Sequence, residues 1–122
     1  MKRDMDLIRE ILTTLETDPR ADRGTCFNLS IPGRDQIQIA YHLGLLKDAG
    51  LITATKTQHL TSPYPDWKPI GLTSAGHDFI EAARNDTLWQ KAKQVVVEKG
   101  VGASVEVLTA VLKQLALSMI AG

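Results

Sequence analysis

Side chains that can contact DNA gather in one region of the sequence. Between Gln36 and Ile52, Gln38, Tyr41 and Lys47 fall away from the apolar face of a helix. Glutamine can form paired hydrogen bonds with the edge of adenine, and lysine can reach a phosphate. This pattern predicts DNA recognition. The candidate DNA-contacting residues are Arg34, Gln38, Tyr41, Lys47, Lys56, Gln58, His59 and Lys68.

Two other interpretations fit the same side chains. Polar residues on helices and strands are commonly ordinary solvated surface. Ile37 and Leu45 also lie off the apolar stripe, and exposed apolar side chains suit a protein partner better than a phosphate backbone. The alternative prediction is therefore a protein–protein interaction module that does not bind DNA.

Residues able to catalyse a reaction or hold a metal ion form no recognisable pattern. Structural zinc sites use pairs of ligands separated by about two to four residues. No such close pair occurs among Cys26, His42, His59 and His77. The serines and the cysteine also lack the local frame of an activated nucleophile. We therefore expect no enzyme activity, no metal site and no cofactor.

One amphipathic helix must position the candidate DNA-contacting residues. Ile39, Leu43 and Leu46 recur at spacings of four and three, which places them on one helix face. Gly50 is expected to end the helix, because glycine tolerates the left-handed conformation that closes a helix end. Leu51 then opens an extended, apolar run.

This stretch resembles the recognition helix of bacterial winged-helix regulators, notably the arsenic-repressor-like and PadR-like families. The resemblance rests on His42-Leu43, Leu46 and Ala49-Gly50-Leu51-Ile52. It implies a winged helix-turn-helix-like domain that binds double-stranded DNA and regulates transcription. Fold alone does not establish function, so the implied activity needs support from the site itself.

The segment before this helix departs from the winged-helix pattern. A helix-turn-helix requires another helix ahead of the recognition helix. Only Pro32 to Asp35 separates the central helix from Cys26 to Ile31, a weakly alternating run that predicts a short strand. The second helix is therefore expected to be missing, reduced to one turn or fused to the central helix.

The remaining pattern predicts an α+β fold that is mainly α. A first helix is expected from Asp4 to Glu16, with Asp4 or Asp6 as its cap. Leu51 to Thr57 and Trp67 to Leu72 predict two strands joined by a long loop, as in a wing. Three further helices are predicted: from Thr73 or Ser74 to about Arg84, from Asp86 to Lys99, and from Ala103 to Ile120. Residues 1–85 are expected to form the winged-helix-like domain and residues 86–122 a helical C-terminal extension.

The last predicted helix is apolar on two sides. One side can cover a core while the other meets a partner, although both could be buried within one chain. Regulators of the resembled families often dimerise through terminal helices, so we expect a homodimer. The predicted interface is a seam with alternating spacings of four and three: Val105, Leu108, Leu112, Leu115 and Met119. The second apolar side comprises Val107, Val111, Leu117 and Ile120.

Composition indicates a small globular protein. The chain has 122 residues, 43% of them hydrophobic, which suffices for one real core. Lys plus Arg and Asp plus Glu number 14 each, so DNA contact would require a local basic patch. The single Cys26 excludes an intramolecular disulfide. The charged N-terminus is followed by no apolar signal segment, and no run of apolar residues is long enough to cross a membrane. A cytoplasmic location is therefore expected.

Motifs along the chain also resemble a family of small bacterial and phage proteins of unassigned function. They are the opening Met-Lys-Arg-Asp-Met-Asp-Leu-Ile-Arg, Tyr41-His42-Leu43, Leu72-Thr73-Ser74-Ala75-Gly76-His77 and Trp89. The resemblance covers roughly the first 95 residues. It again implies a winged-helix-like fold, with a link to phages, and supplies no substrate, partner or reaction.

Overall fold

The computed structural model describes residues 3–57, 66–98 and 104–121. For residues 119–121 it describes the backbone alone. These ranges form an α+β fold that is mainly α, as predicted from the sequence. Within them, no helix is long and apolar enough to cross a membrane. The elements in chain order are α1 (Met5–Thr17), α2 (Gln36–Asp48), β1 (Ile52–Thr57), β2 (Asp66–Leu72), α3 (Ser74–Ala83), α4 (Asp86–Glu98) and α5 (Val105–Ala121).

The chain divides into two compact units, Met1–His77 and Asp78–Gly122. The division falls within α3, whereas the boundary predicted from the sequence follows residue 85. In the first unit, α1 packs against α2 and β2. Its apolar stripe is at most 1% exposed and comprises Leu7, Ile8, Ile11, Leu12 and Leu15.

Helix α2 has the C-terminal end and the buried face that the sequence predicts. The Asp35 carboxylate caps its start by accepting the N–H of Ile37 at 2.7 Å. Its core-facing residues Ile39, Leu43 and Leu46 are at most 1% exposed. Gly50 ends the helix with φ at 78°. The next two amides donate back to the last turn, Gly50 to Lys47 and Leu51 to Leu46, each at 3.0 Å, which is the Schellman arrangement.

No second helix precedes α2 in the described segment between α1 and α2. A single turn occupies residues 32–34, closed by the Arg34 N–H donating to the Ile31 carbonyl at 3.0 Å. Gly33 adopts φ of 81° within it. A turn with a left-handed glycine is not a turn of α-helix, so of the three arrangements expected from the sequence the structure has the one in which the helix is missing.

The predicted strand from Cys26 to Ile31 is wrong. This segment makes one isolated backbone bond to β2, in which the Phe27 N–H donates to the Pro69 carbonyl at 3.2 Å. A second such bond comes from the loop before it, where the Asp22 N–H donates to the Ile70 carbonyl at 2.8 Å. The pairing of β1 with β2 shifts register between residues 53 and 54, and this bulge leaves Ile70 without a cross-strand partner. Pro69 has no N–H to donate in return. The edge of β2 therefore offers carbonyls to the segment but no regular ladder.

Both predicted strands are confirmed, and the N-terminal end of each differs from the prediction by one residue. They pair antiparallel from Ile52 opposite Leu72 to Thr57 opposite Asp66. Thr73 then begins α3 as its cap, since its hydroxyl accepts the N–H of Gly76 at 3.1 Å.

Helix α3 approaches the end of α2 closely at Gly76. The Thr73 hydroxyl donates to the Gly50 carbonyl at 2.6 Å, and the Thr73 amide donates to the Leu51 carbonyl at 3.0 Å. A Cβ atom on Gly76 would overlap that Leu51 carbonyl oxygen. Glycine is therefore required here by the space available.

The second unit is built on Trp89 and the packing of α4 against α5. Trp89 is fully buried and meets the ring of Phe79 edge-to-face, with centroids 6.2 Å apart. Asn85 caps α4 by accepting the N–H of Leu88 at 3.1 Å. Ser104 caps α5 in the same way, accepting the N–H of Val107 at 3.1 Å.

A buried histidine joins α1 to α2. His42 is 0% exposed, and its Nε2 accepts the backbone N–H of Asp4 at 2.7 Å. A backbone amide can only donate, so Nε2 carries no proton. The proton is on Nδ1, which donates to the Gln38 carbonyl at 2.8 Å. Burial lowers the pKa of His42, so the folded chain holds it neutral.

This histidine predicts a loss of stability in mild acid. Below the unfolded-state pKa of about 6.5, the unfolded chain gains a proton that the folded chain refuses. The free energy of unfolding should therefore fall by up to ~1.4 kcal/mol per pH unit as pH drops from ~6.5 to the lower folded pKa. Urea unfolding between pH 5 and 8 measures this slope. His42→Gln keeps an acceptor for the Asp4 amide without titrating, and the slope should be absent there; an equal slope in that variant would contradict the assignment.

The overlap at Gly76 predicts that Gly76→Ala destabilises the fold by more than about 2 kcal/mol. Helix propensity alone would make the same change stabilising by about 1 kcal/mol, so the sign of the effect isolates the overlap. Urea unfolding supplies the measurement, with the exposed Ser74→Ala as a control expected to stay within ~0.5 kcal/mol of the natural chain. A stabilised Gly76→Ala variant would refute the close approach.

Candidate nucleic-acid interface

The outward face of α2 carries polar residues at its border and a lysine near its end. Gln38 and Tyr41 are half-buried, while Lys47 is exposed. Tyr41 rests against His42, with ring centroids 5.4 Å apart and nearly perpendicular planes. The buried histidine ring thus packs against the tyrosine ring. This part of α2 presents one cation, one amide and one phenol.

The same face also carries apolar side chains. Ile37 is 38% exposed, and Leu45 is half-buried. With Tyr41 between them at helical spacings of four, they form a strip that we call the outward strip (Ile37, Tyr41 and Leu45). Ile37 and Leu45, which the helical spacing separates from the core stripe, are therefore both less buried than that stripe.

A tryptophan holds the start of β2 against α2. Gly44 is buried, and a Cβ placed on it would lie 2.7 Å from Nε1 of Trp67. The indole therefore covers the glycine. The Lys47 Nζ lies 5.7 Å from the centroid of the Trp67 ring, within the range of a cation–π interaction. Trp67 is absent from the predicted site; the signal that could have indicated it is a glycine in the middle of an apolar helix.

Lys56 lies on the same face of the strand pair as Trp67. The register places these two residues directly opposite each other, and opposite side chains in an antiparallel pair project to the same side. Lys56 is exposed. Lys47 and Lys56 therefore both neighbour the indole, one from α2 and one from β1. We call Lys47, Lys56 and Trp67 the indole patch.

Lys68 belongs to the other face of the strand pair. Its ammonium group bonds the side-chain oxygen of Asn28 and lies 3.4 Å from the Asp66 carboxylate. Its neighbour across the pair is Thr55. Lys68 and Lys56 are both among the predicted DNA-contacting residues, but the alternation of side chains along β2 places them on different faces of the strand pair. The predicted Gln58 and His59 lie outside the described residues.

Arg34 is paired with carboxylates of its own chain. Its guanidinium donates to Asp4 at 2.9 Å and lies 3.5 Å from Glu10. The hydrogen bond to Asp4 raises the pKa of Arg34. For Asp4 itself, burial opposes ionisation, but bonds from the Leu7 amide and from Arg34 outweigh it and lower the pKa of the carboxyl. A phosphate would have to compete with these partners for Arg34.

Groups that could bind a metal or act as nucleophiles remain apart in the described residues. No cluster of three or more His, Cys, Asp and Glu side chains occurs within those ranges. Both ring nitrogens of His42 are engaged in hydrogen bonds. Cys26 and His77 are exposed.

The seam predicted for dimerisation lies mostly inside the second unit. Val105, Leu108 and Leu112 are at most 3% exposed. Leu115 is half-buried, and the side chain of Met119 lies outside the described ones. Since α5 packs on α4, this seam is the side that covers the core. The opposite side carries Leu117, which is 59% exposed.

Comparisons with known proteins place the chain in a family. The family model described as "Hypothetical protein (DUF2513)" matches residues 2–102. An "Uncharacterized protein" of Haemophilus influenzae is 34% identical over 123 residues, a span that covers 99% of this chain and 100% of the relative. No solved structure matches the chain.

The burial of the seam predicts that substitutions at two leucines of α5 change the free energy of unfolding by very different amounts. Leu112→Lys places a charge in the core of the second unit and should lower the free energy of unfolding by more than about 3 kcal/mol. Leu117→Lys places the same charge on the exposed side and should change it by less than ~0.5 kcal/mol. Thermal unfolding at low protein concentration, where pairing of chains contributes least, compares them. Equal destabilisation by both variants would contradict the described orientation of α5.

Proposed function

The chain belongs to the DUF2513 family, and we propose that it is a small DNA-binding protein of winged-helix type. In this proposal α2 enters the major groove and the strand pair β1–β2 acts as the wing, lying along the phosphate backbone. The protein would serve as a cytoplasmic transcriptional regulator linked to phages. Its ligand is double-stranded DNA, with no metal or cofactor.

The observation that carries the proposal is the indole patch. Trp67 seats on Gly44 and so holds β2 beside the outward face of α2. The Lys47 Nζ lies 5.7 Å from the centroid of the indole, and Lys56 is the cross-strand neighbour of Trp67 on the same side of the strand pair. A winged-helix protein needs such an arrangement, because its helix and wing must meet one duplex together.

The distribution of charged side chains supports a local contact with DNA that is of modest strength. The chain as a whole is neutral, and Arg34 and Lys68 already face carboxylates. Lys47 and Lys56 are therefore the cations best placed to meet phosphates. Gln38 borders the outward face of α2 on the side opposite Lys47, and its side chain is suited to reading a base edge.

Salt dependence tests the proposal. A fluorescently labelled random-sequence duplex should bind at low salt, and its affinity should fall steeply as salt rises, because each phosphate contact releases counterions. Lys47→Ala and Lys56→Ala should each reduce the slope of log affinity against log salt by about one. Fluorescence anisotropy gives affinity and slope together.

The matched control is Lys68→Ala, which removes a lysine from the other face of the strand pair and should leave the slope nearly unchanged. A slope reduced by Lys68→Ala and by neither of the other variants would move the contact to that other face. Absence of duplex binding at micromolar protein and low salt would refute DNA binding altogether.

A second candidate function rests on the outward strip. Ile37, Tyr41 and Leu45 present apolar and aromatic area where a DNA-reading helix would carry polar side chains. Tyrosine and isoleucine of this kind suit the centre of a protein–protein contact. A winged-helix scaffold that recognises another protein and not DNA is the alternative, and failure of the duplex to bind favours it.

A further inference from the structure

Helix α5 has an exposed face with opposite charges on either side of a small residue. The face comprises Glu106, Ala110, Lys113 and Leu117, spaced by four, three and four residues along one side of the helix. All four residues are exposed. It lies opposite the buried Val105, Leu108 and Leu112, which already pack within the unit.

The order of charges on this face is self-complementary. Two identical helices can pair antiparallel about a two-fold axis. A residue that precedes the axis on one helix then meets the residue that follows the axis at the same distance on the other helix. With the axis beside Ala110, Glu106 of each copy meets Lys113 of the other. Both symmetry-related contacts are then attractive. The same face in parallel pairing would set Glu106 against Glu106.

The shape of the face also favours a close helix pair. Interhelical distance depends on the side chains at the crossing, and alanine at that point permits close approach. Beside it runs an open apolar groove of about 390 Å³ between α4 and α5. Its lining residues are Val95, Val107, Ala110, Val111, Gln114 and Leu115. Apolar area therefore adjoins the charged pair and can be buried with it.

We infer that this face of α5 binds a second copy of the chain, forming an antiparallel homodimer with reciprocal Glu106–Lys113 contacts. The inference keeps a homodimer but moves its interface from the buried seam to the opposite side of the helix. It does not depend on DNA binding, because the pairing surface lies within the second unit and needs no nucleic acid.

Charge reversal tests the pairing directly by sedimentation velocity and equilibrium on the full chain without DNA. The natural protein should be a dimer at micromolar to hundreds of micromolar concentrations. Lys113→Glu converts both symmetry-related contacts to repulsions and should raise the dimer Kd by about tenfold or more. Combining it with Glu106→Lys restores opposite charges, so the double variant should return to within about threefold of the natural Kd.

Two controls separate pairing from folding and from net charge. Circular dichroism should show the same helix content in every variant, since both positions are exposed. Lys56→Glu makes the same change in net charge in the other unit and should leave the dimer Kd unchanged. A natural chain that stays monomeric would overturn the inference. An unaffected Lys113→Glu variant, or a double variant as weak as the single one, would overturn it as well.

Discussion

The missing side chain at Gly44 is the constraint on which the candidate interface depends. The indole of Trp67 occupies the space that a Cβ would fill, so β2 lies against the middle of α2. This contact brings Lys56, on β1, to the same side as Lys47, at the end of α2. The helix and the strand pair therefore present these two lysines on one continuous surface. A residue usually costly inside a helix here provides the space in which the two elements meet.

In the frame behind this contact, hydrogen bonds and ion pairs tie both ends of α2 to neighbouring segments of the chain. Towards the N-terminal end, His42 accepts a hydrogen bond from the Asp4 amide, and Arg34 forms ion pairs with both Asp4 and Glu10. At the C-terminal end, the amides of Gly50 and Leu51 donate hydrogen bonds to carbonyls of the last helical turn. Thr73 then ties that end to the start of α3. The single turn in place of a second helix leaves α1 in direct contact with α2, and the histidine makes part of that contact.

Local patterns predicted the elements of this frame, and long-range contacts were beyond them. The spacing of Ile39, Leu43 and Leu46 identified the buried face of α2, and Gly50 identified its end. The strand expected at Cys26 to Ile31 fails because the bulge at Ile70 and the missing amide of Pro69 act from β2, about forty residues away. Periodicity likewise found two apolar sides on α5 but could not tell which one faces α4. The partners of Arg34 and Lys68 depend on tertiary contacts that a helix wheel does not contain.

The most direct test of the account is an NMR titration of the protein with duplex DNA, followed at the two indole N–H resonances. Trp67 lies in the indole patch, whereas Trp89 is fully buried in the second unit and serves as an internal control. The account predicts that the Trp67 resonance shifts progressively with added duplex, together with the amides of Lys47 and Lys56, while the Trp89 resonance stays in place. A Trp67 resonance that does not move at saturating duplex would contradict it.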